Sequence, residues 1–136
     1  MFSIDHIAFS VQDIEKSIDF YKLLGFTKVR EWESDNLTMQ MCLLKNQDNA
    51  FIELVYCKEH NLLPKYAKDY KLNLHHVGIK HLAMRVKSAE QALSFLTDNG
   101  IFNHSIIQTG KLGRKYFFIN DPDGTILEFI EDKQYK

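Results

Sequence analysis

From Ile4 to Val11 the chain alternates bulky with small or polar side chains, Ile4-Asp5-His6-Ile7-Ala8-Phe9-Ser10-Val11. That is the period of a β-strand with one face buried. The period then lengthens. Ile14, Ile18, Tyr21 and Leu24 fall on one face of a helix over 13–24, and Gly25 supplies its stop. Three further strands are predicted at about 26–32, 37–45 and 50–56. A connecting stretch, Lys58 to Gly78, reads as part helix and part loop.

The same succession follows a second time. Residues 79–86 alternate as a strand; Ser88-x-x-Gln91 forms a capping box, and Ala89, Ala92, Leu93 and Leu96 make a helical stripe ended by Gly100. Strands are predicted at about 101–108, 114–119 and 125–131, the last two joined by the turn Asn120-Asp121-Pro122-Asp123-Gly124. An offset of 75 residues takes His6 to His81, Val11 to Val86, Glu15 to Glu90, Phe20 to Phe95 and Gly25 to Gly100. The same offset takes Phe51-Ile52-Glu53-Leu54-Val55 onto Ile126-Leu127-Glu128-Phe129-Ile130 without a gap. Two copies of one β-α-β-β-β unit explain this. The predicted fold is α+β: tandem modules at about 3–57 and 79–132, joined by linker 58–78 within a single domain of 136 residues.

Strand alternation assigns the faces. His6, Ala8 and Ser10 share one side, opposite Ile7, Phe9 and Val11; His81, Ala83 and Arg85 repeat the pattern against Leu82, Met84 and Val86. In the last strands Glu53 and Glu128 lie opposite the apolar residues Ile52, Leu54, Leu127 and Phe129. The apolar face packs on the helices, so two histidines and two glutamates occupy the other. Singly, a histidine at a strand start is ordinarily a hydrogen-bonded structural residue, and a strand glutamate a solvated one. Four of them at duplicated positions point to a metal site, His6, Glu53, His81 and Glu128. Imidazole and carboxylate without thiolate suit Zn, Ni, Co, Fe or Mn. A cation also offsets the cost of placing Glu128 among Ile126, Leu127, Phe129 and Ile130.

Composition narrows the partners. A formal charge of −1, with both signs interspersed, lacks the basic face a nucleic-acid binder needs. The start MFSIDHIAFSV is no signal peptide, no stretch spans a bilayer, and Cys42 and Cys57 make no disulfide framework. The expectation is a cytoplasmic protein acting on a small molecule, with neither nucleic acid nor membrane as partner.

With His6, Glu53, His81 and Glu128 set in β-α-β-β-β repeats, and with Asp121-Pro122-Asp123-Gly124 before the last strand, the sequence resembles the vicinal oxygen chelate superfamily. That group holds glyoxalase I, methylmalonyl-CoA epimerase, extradiol dioxygenases, fosfomycin-resistance and bleomycin-binding proteins. The resemblance implies a mixed sheet curled into a cup around one divalent metal ion, and commonly a homodimer. A His, Glu, His, Glu ligand set is most similar to glyoxalase I, where the family role of Glu128 is the base that moves a proton through an enediolate. Glu53 would serve the opposite face. The substrate implied is a thiol adduct of an α-ketoaldehyde. The alternatives are another isomerase of the superfamily, such as an epimerase, or a module that sequesters a small molecule.

Two positions depart from the bacterial glyoxalase I pattern. Ser10 stands where an Arg serves glutathione, and Cys57 where an Asn does. Arg85, the repeat mate of Ser10, is a candidate contact for a carboxylate or phosphate. The loop Gly110-Lys111-Leu112-Gly113-Arg114-Lys115 is a second anion candidate, although it reads better as a solvated hairpin turn. His60, His75, His76 and His104 have no histidine mates in the repeat and read as linker or surface residues.

Overall fold

A computed structural model describes residues 1–101 and 106–132. The chain divides into two compact units, Met1–Leu62 and Leu63–Lys136. Among the described residues, no helix is long and apolar enough to cross a membrane.

The first unit runs β1 (Ile7–Ser10), α1 (Ile14–Leu23), β2 (Thr27–Glu33), β3 (Met39–Lys45) and β4 (Phe51–Cys57). Its sheet has the order β1-β4-β3-β2, with β1 parallel to β4 and the other pairs antiparallel. Asp13 caps α1, its carboxylate accepting the Lys16 backbone N–H at 3.0 Å. After α1 the chain turns at Gly25, whose φ of 92° is the left-handed conformation that glycine tolerates. Tyr21 is fully buried, stacked on Phe9 and edge-on to Phe20 and Phe26. Cys42, Leu44, Ile52 and Leu54 complete this core. Ser17 shares the buried side of α1 with Tyr21, a position that apolar periodicity alone passes over.

The second unit begins inside the predicted linker. A 3-10 turn (Lys65–Lys68) and α2 (Tyr70–Asn73) precede β5 (Leu82–Val86), α3 (Ala89–Asp98), β6 (Gln108–Thr109), β7 (Lys115–Asn120) and β8 (Ile126–Glu131). Its sheet has the order β5-β8-β7-β6, again with one parallel pair, β5 with β8. Ser88 caps α3 by accepting the Gln91 N–H, and the Ala89 N–H donates to Glu131 at 3.0 Å. Phe117, Ile119, Leu127 and Phe129 are buried, Phe117 and Phe129 stacked at 5.1 Å. The two sheets are the α+β, mixed-strand repeats that the sequence predicts.

Two boundaries differ. Strands expected from residues 4 and 79 begin at Ile7 and Leu82, where pairing with Ile52 and Leu127 starts. Ile4 and Ile79 are 96% and 81% exposed, so His6 and His81 stand just before their strands rather than inside them. Of the strand expected at 101–108, residues 102–105, and with them His104, lie outside the described residues; residues 101, 106 and 107 are not strand, and the strand found there is the short Gln108–Thr109.

Candidate functional site

Register places the candidate residues the same way in each unit. Ala8 pairs with Glu53 and Ala83 with Glu128, and these are repeat mates. An alanine beside each carboxylate leaves space that a larger side chain would fill. The next strand over supplies Leu43 opposite Glu53 and Phe118 opposite Glu128, again repeat mates. Directly opposed residues of antiparallel strands share a face, so Phe118 stands beside Glu128 on the side away from the helix.

In the first unit His6 Nε2 lies 4.0 Å from Glu53 Oε1. The other ring nitrogen, Nδ1, is 2.6 Å from Asp5 Oδ2, a contact that fixes the ring and turns Nε2 toward the glutamate. That hydrogen bond also raises the His6 pKa above its ordinary 6.5, opposed by desolvation and assisted by the charges of Glu53 and Asp5.

The second unit holds its pair more closely. His81 Nε2 is 2.9 Å from Glu128 Oε2, with the Glu128 side chain only 14% exposed. The His81 ring tilts against Phe118 at 5.5 Å. Where the first unit has Asp5, the second has Lys80. Its ammonium donates to the backbone carbonyls of Asn73 and His76 and to the Asn73 side-chain oxygen, tying the end of α2 to the strand entrance.

Each unit therefore brings one imidazole and one carboxylate together. Among the described residues, no group of three or more His, Cys, Asp or Glu gathers closely enough to hold an ion. Imidazole and carboxylate are donor types that divalent metals accept.

The substrate-contact candidates divide. Ser10 is exposed on the His6 face of β1, and Cys57 ends β4 with a free thiol and a carbonyl accepting from His60 Nδ1. Arg85 stands on the His81 face, but its guanidinium is 73% exposed and lies 3.6 Å from Asp132. Gly110 to Lys115 forms the hairpin turn between β6 and β7, closed by Gly113 N–H to Gly110 O and Gly110 N–H to Arg114 O, each 2.8 Å. His76 stacks on Tyr66 within the second unit's entry segment.

Sequence reasoning missed the linker-side residues that back Phe118 and the turn before β8. Tyr70 stacks on Phe118 at 4.6 Å, and the Asn120 amide donates to the carbonyls of Lys68 and Gly124, each at 2.9 Å. The signal was Phe118 itself, an aromatic where the first repeat has Leu43.

The fold and sequence are shared with known proteins. The chain is 31% identical over 133 residues to "Uncharacterized protein YwkD" of Bacillus subtilis (strain 168), covering 95% of this chain and 96% of that protein. It is 28% identical to "Lactoylglutathione lyase" of Escherichia coli O157:H7, covering 94% and 91%. The crystal structure of the glyoxalase family protein from Enterococcus faecalis superposes with a TM-score of 0.79 at 27% identity, covering 95% of this chain and 97% of that one. Residues 3–129 match the sequence model of the Glyoxalase/Bleomycin resistance protein/Dioxygenase superfamily, and the chain belongs to that superfamily.

Proposed function

We propose that the protein is a metal-dependent, glyoxalase I-like lyase acting on the hemithioacetal formed from a thiol and an α-ketoaldehyde. The observation that carries this reading is the duplicated imidazole–carboxylate pair: His6 with Glu53, and His81 with Glu128. Family membership and similarity to a lactoylglutathione lyase support it.

His6, Glu53, His81 and Glu128 would hold one divalent ion per active site, each repeat contributing two ligands. When bound, the ion would supply Lewis-acid stabilisation of negative charge on the substrate. Glu128 takes the proton from the carbon that bears sulfur and returns it to the neighbouring carbon, giving a 2-hydroxyacyl thioester. His81 Nε2 and Glu128 Oε2 stand 2.9 Å apart, close enough for one ion to take both, and Phe118 packs against the imidazole. Asp5 holds His6 with Nε2 directed at Glu53. Glu53 serves the opposite face of the reacting carbon.

Assembly as a homodimer completes the proposal. Phe2, Ile4, Val77 and Ile79 are 94%, 96%, 109% and 81% exposed, and they lead into β1 and β5, the edge strands of their sheets. Such apolar side chains beside unpaired strand edges call for a cover. Sedimentation equilibrium should return twice the chain mass, and a monomer would remove this part.

The activity is tested by offering the metal-loaded protein methylglyoxal with a panel of thiols and following thioester formation. Thioester from at least one adduct supports the lyase. Metal binding with no thioester from any adduct would leave another isomerase of the superfamily. Failure to bind any of the five metals would favour a sequestering module.

A further inference from the structure

The two repeats fix their histidines by different means. In the first, Asp5 precedes His6 and places Oδ2 at 2.6 Å from His6 Nδ1. The 75-residue offset puts Lys80 in the same place before His81. An ammonium cannot accept a ring N–H. Among the described residues, the carboxylate in ion-pair contact with His81 is Glu128, on Nε2, and none stands at Nδ1.

The half-buried Lys80 closes a loop instead. Its ammonium donates to the Asn73 backbone carbonyl at 2.7 Å, to Asn73 Oδ1 at 2.9 Å and to the His76 carbonyl. Three donors thus meet three oxygens at and just beyond the end of α2, where helix carbonyls lack partners of their own. Asn73 is a firm anchor: it is 7% exposed, and its Nδ2 donates to the Ala67 carbonyl at 3.3 Å. Val77 and Ile79, inside the loop so closed, are exposed. Within the unit, polar contacts rather than burial of those side chains hold the loop to the start of β5.

The His81 ring is held from a second direction by the same helix. Phe118 meets the ring at 5.5 Å, and Tyr70, the first residue of α2, stacks on Phe118 at 4.6 Å. The Tyr70 hydroxyl accepts from Gln108 Nε2 at 3.3 Å. α2 therefore carries both supports, Tyr70 at its start and Asn73 at its end. The first repeat has Leu43 where the second has Phe118, and its histidine relies on Asp5.

We propose that Lys80 is a positioning residue for His81. Its clasp on the end of α2 sets the entrance to β5, and through Tyr70 and Phe118 the same helix sets the imidazole ring, in place of the carboxylate that Asp5 supplies to His6. The proposal rests on the metal reading only for what His81 then holds; the geometry it asserts needs no ion. His6 answers to one neighbouring side chain, whereas His81 answers to the whole segment 65–80.

NMR of the full chain reads this geometry without metal or substrate. In the wild type the His81 ring protons should show nuclear Overhauser contacts with the Phe118 ring. Lys80→Met should weaken or abolish them, Lys80→Arg should restore them by keeping donors for the same oxygens, and the His6 ring signals should stay in place in both. Contacts that survive Lys80→Met at wild-type intensity overturn the proposal. So does an equal disturbance of His6, which would report general loosening. If circular dichroism shows Lys80→Met unfolded, the milder Lys80→Gln is read in the same way.

The second readout is metal affinity, measured by competition with a chelator. It should fall about 10- to 100-fold in Lys80→Met, as for loss of other supports behind a ligand, and recover in Lys80→Arg. An affinity equal to that of the wild type overturns the proposal. A wild type that binds no metal but loses its His81–Phe118 contacts in Lys80→Met would refute the metal reading and leave the clasp standing.

Discussion

Glu128 Oε2 lies 2.9 Å from His81 Nε2, while Glu53 Oε1 lies 4.0 Å from His6 Nε2. The repeat mates are held to different degrees because their surroundings differ. Phe118, itself backed by Tyr70, lies against His81, and the Glu128 side chain is 14% exposed against 22% for Glu53. The closer, more enclosed carboxylate is the one assigned to move the proton.

Glu128→Gln keeps the shape and removes the base. It should lower kcat by about 10²- to 10⁴-fold with methylglyoxal adducts, while the protein folds as before. Single-turnover assays alongside circular dichroism separate loss of chemistry from loss of fold. Retained kcat would move the role to Glu53.

Asp5→Asn weakens the contact that fixes His6. The His6 pKa should drop back toward its ordinary 6.5, because the Asp5 hydrogen bond is the largest cause of its elevation. If His6 ligates the proposed ion, removing the carboxylate behind it should also lower metal affinity by about 10- to 100-fold. A pH titration of the His6 ring protons tests the first effect, and competition with a chelator the second.

Gly124→Ala should destabilise the protein by about 1–3 kcal/mol, since Gly124 has a φ of 94° and the new Cβ would collide with Lys68. Thermal unfolding reads the loss. A variant as stable as the wild type would mean that the entry segment does not press on this turn.

The sign of one pH dependence follows from Glu90 and Lys115. Their hydrogen-bonded ion pair holds Glu90 below its ordinary 4.5 and Lys115 above its ordinary 10.5. Stability from Glu90 is fully present above 4.5 and is lost as pH falls through its depressed value; that from Lys115 is present below 10.5 and lost as pH rises through its raised value. Lys115→Met should flatten both limbs of a stability–pH curve. The pair is exposed, so the change should be small.

Much of this was legible in the sequence because the duplication is gapless. His6, Glu53, His81 and Glu128 need only strand alternation and the 75-residue offset to reach one face of each repeat. Strand positions followed from the same alternation, apart from the stretch 101–108, where only Gln108–Thr109 is strand and 102–105 lie outside the described residues, and apart from the entrances, where the unpaired exposure of Ile4 and Ile79 depends on partners four dozen residues away. The linker-side backing of Phe118 and of the turn before β8 was not legible. Asn120 meets Lys68 across 52 residues, Gln108 meets Tyr70 across 38, and the entry segment has no repeat mate to betray its role. Arg85, attractive as an anion contact from its place beside His81, spends its charge on Asp132 near the end of β8, a contact set by tertiary packing.

The central claim is that these pairs support metal-dependent proton transfer on a hemithioacetal. It is tested most directly by following thioester formation from methylglyoxal adducts before chelation, after chelation and after metal is restored. The account predicts turnover that disappears with the metal, returns with it, and is absent from Glu128→Gln throughout. Thioester formation that persists in the fully chelated protein, or none from any adduct with metal bound, would contradict it.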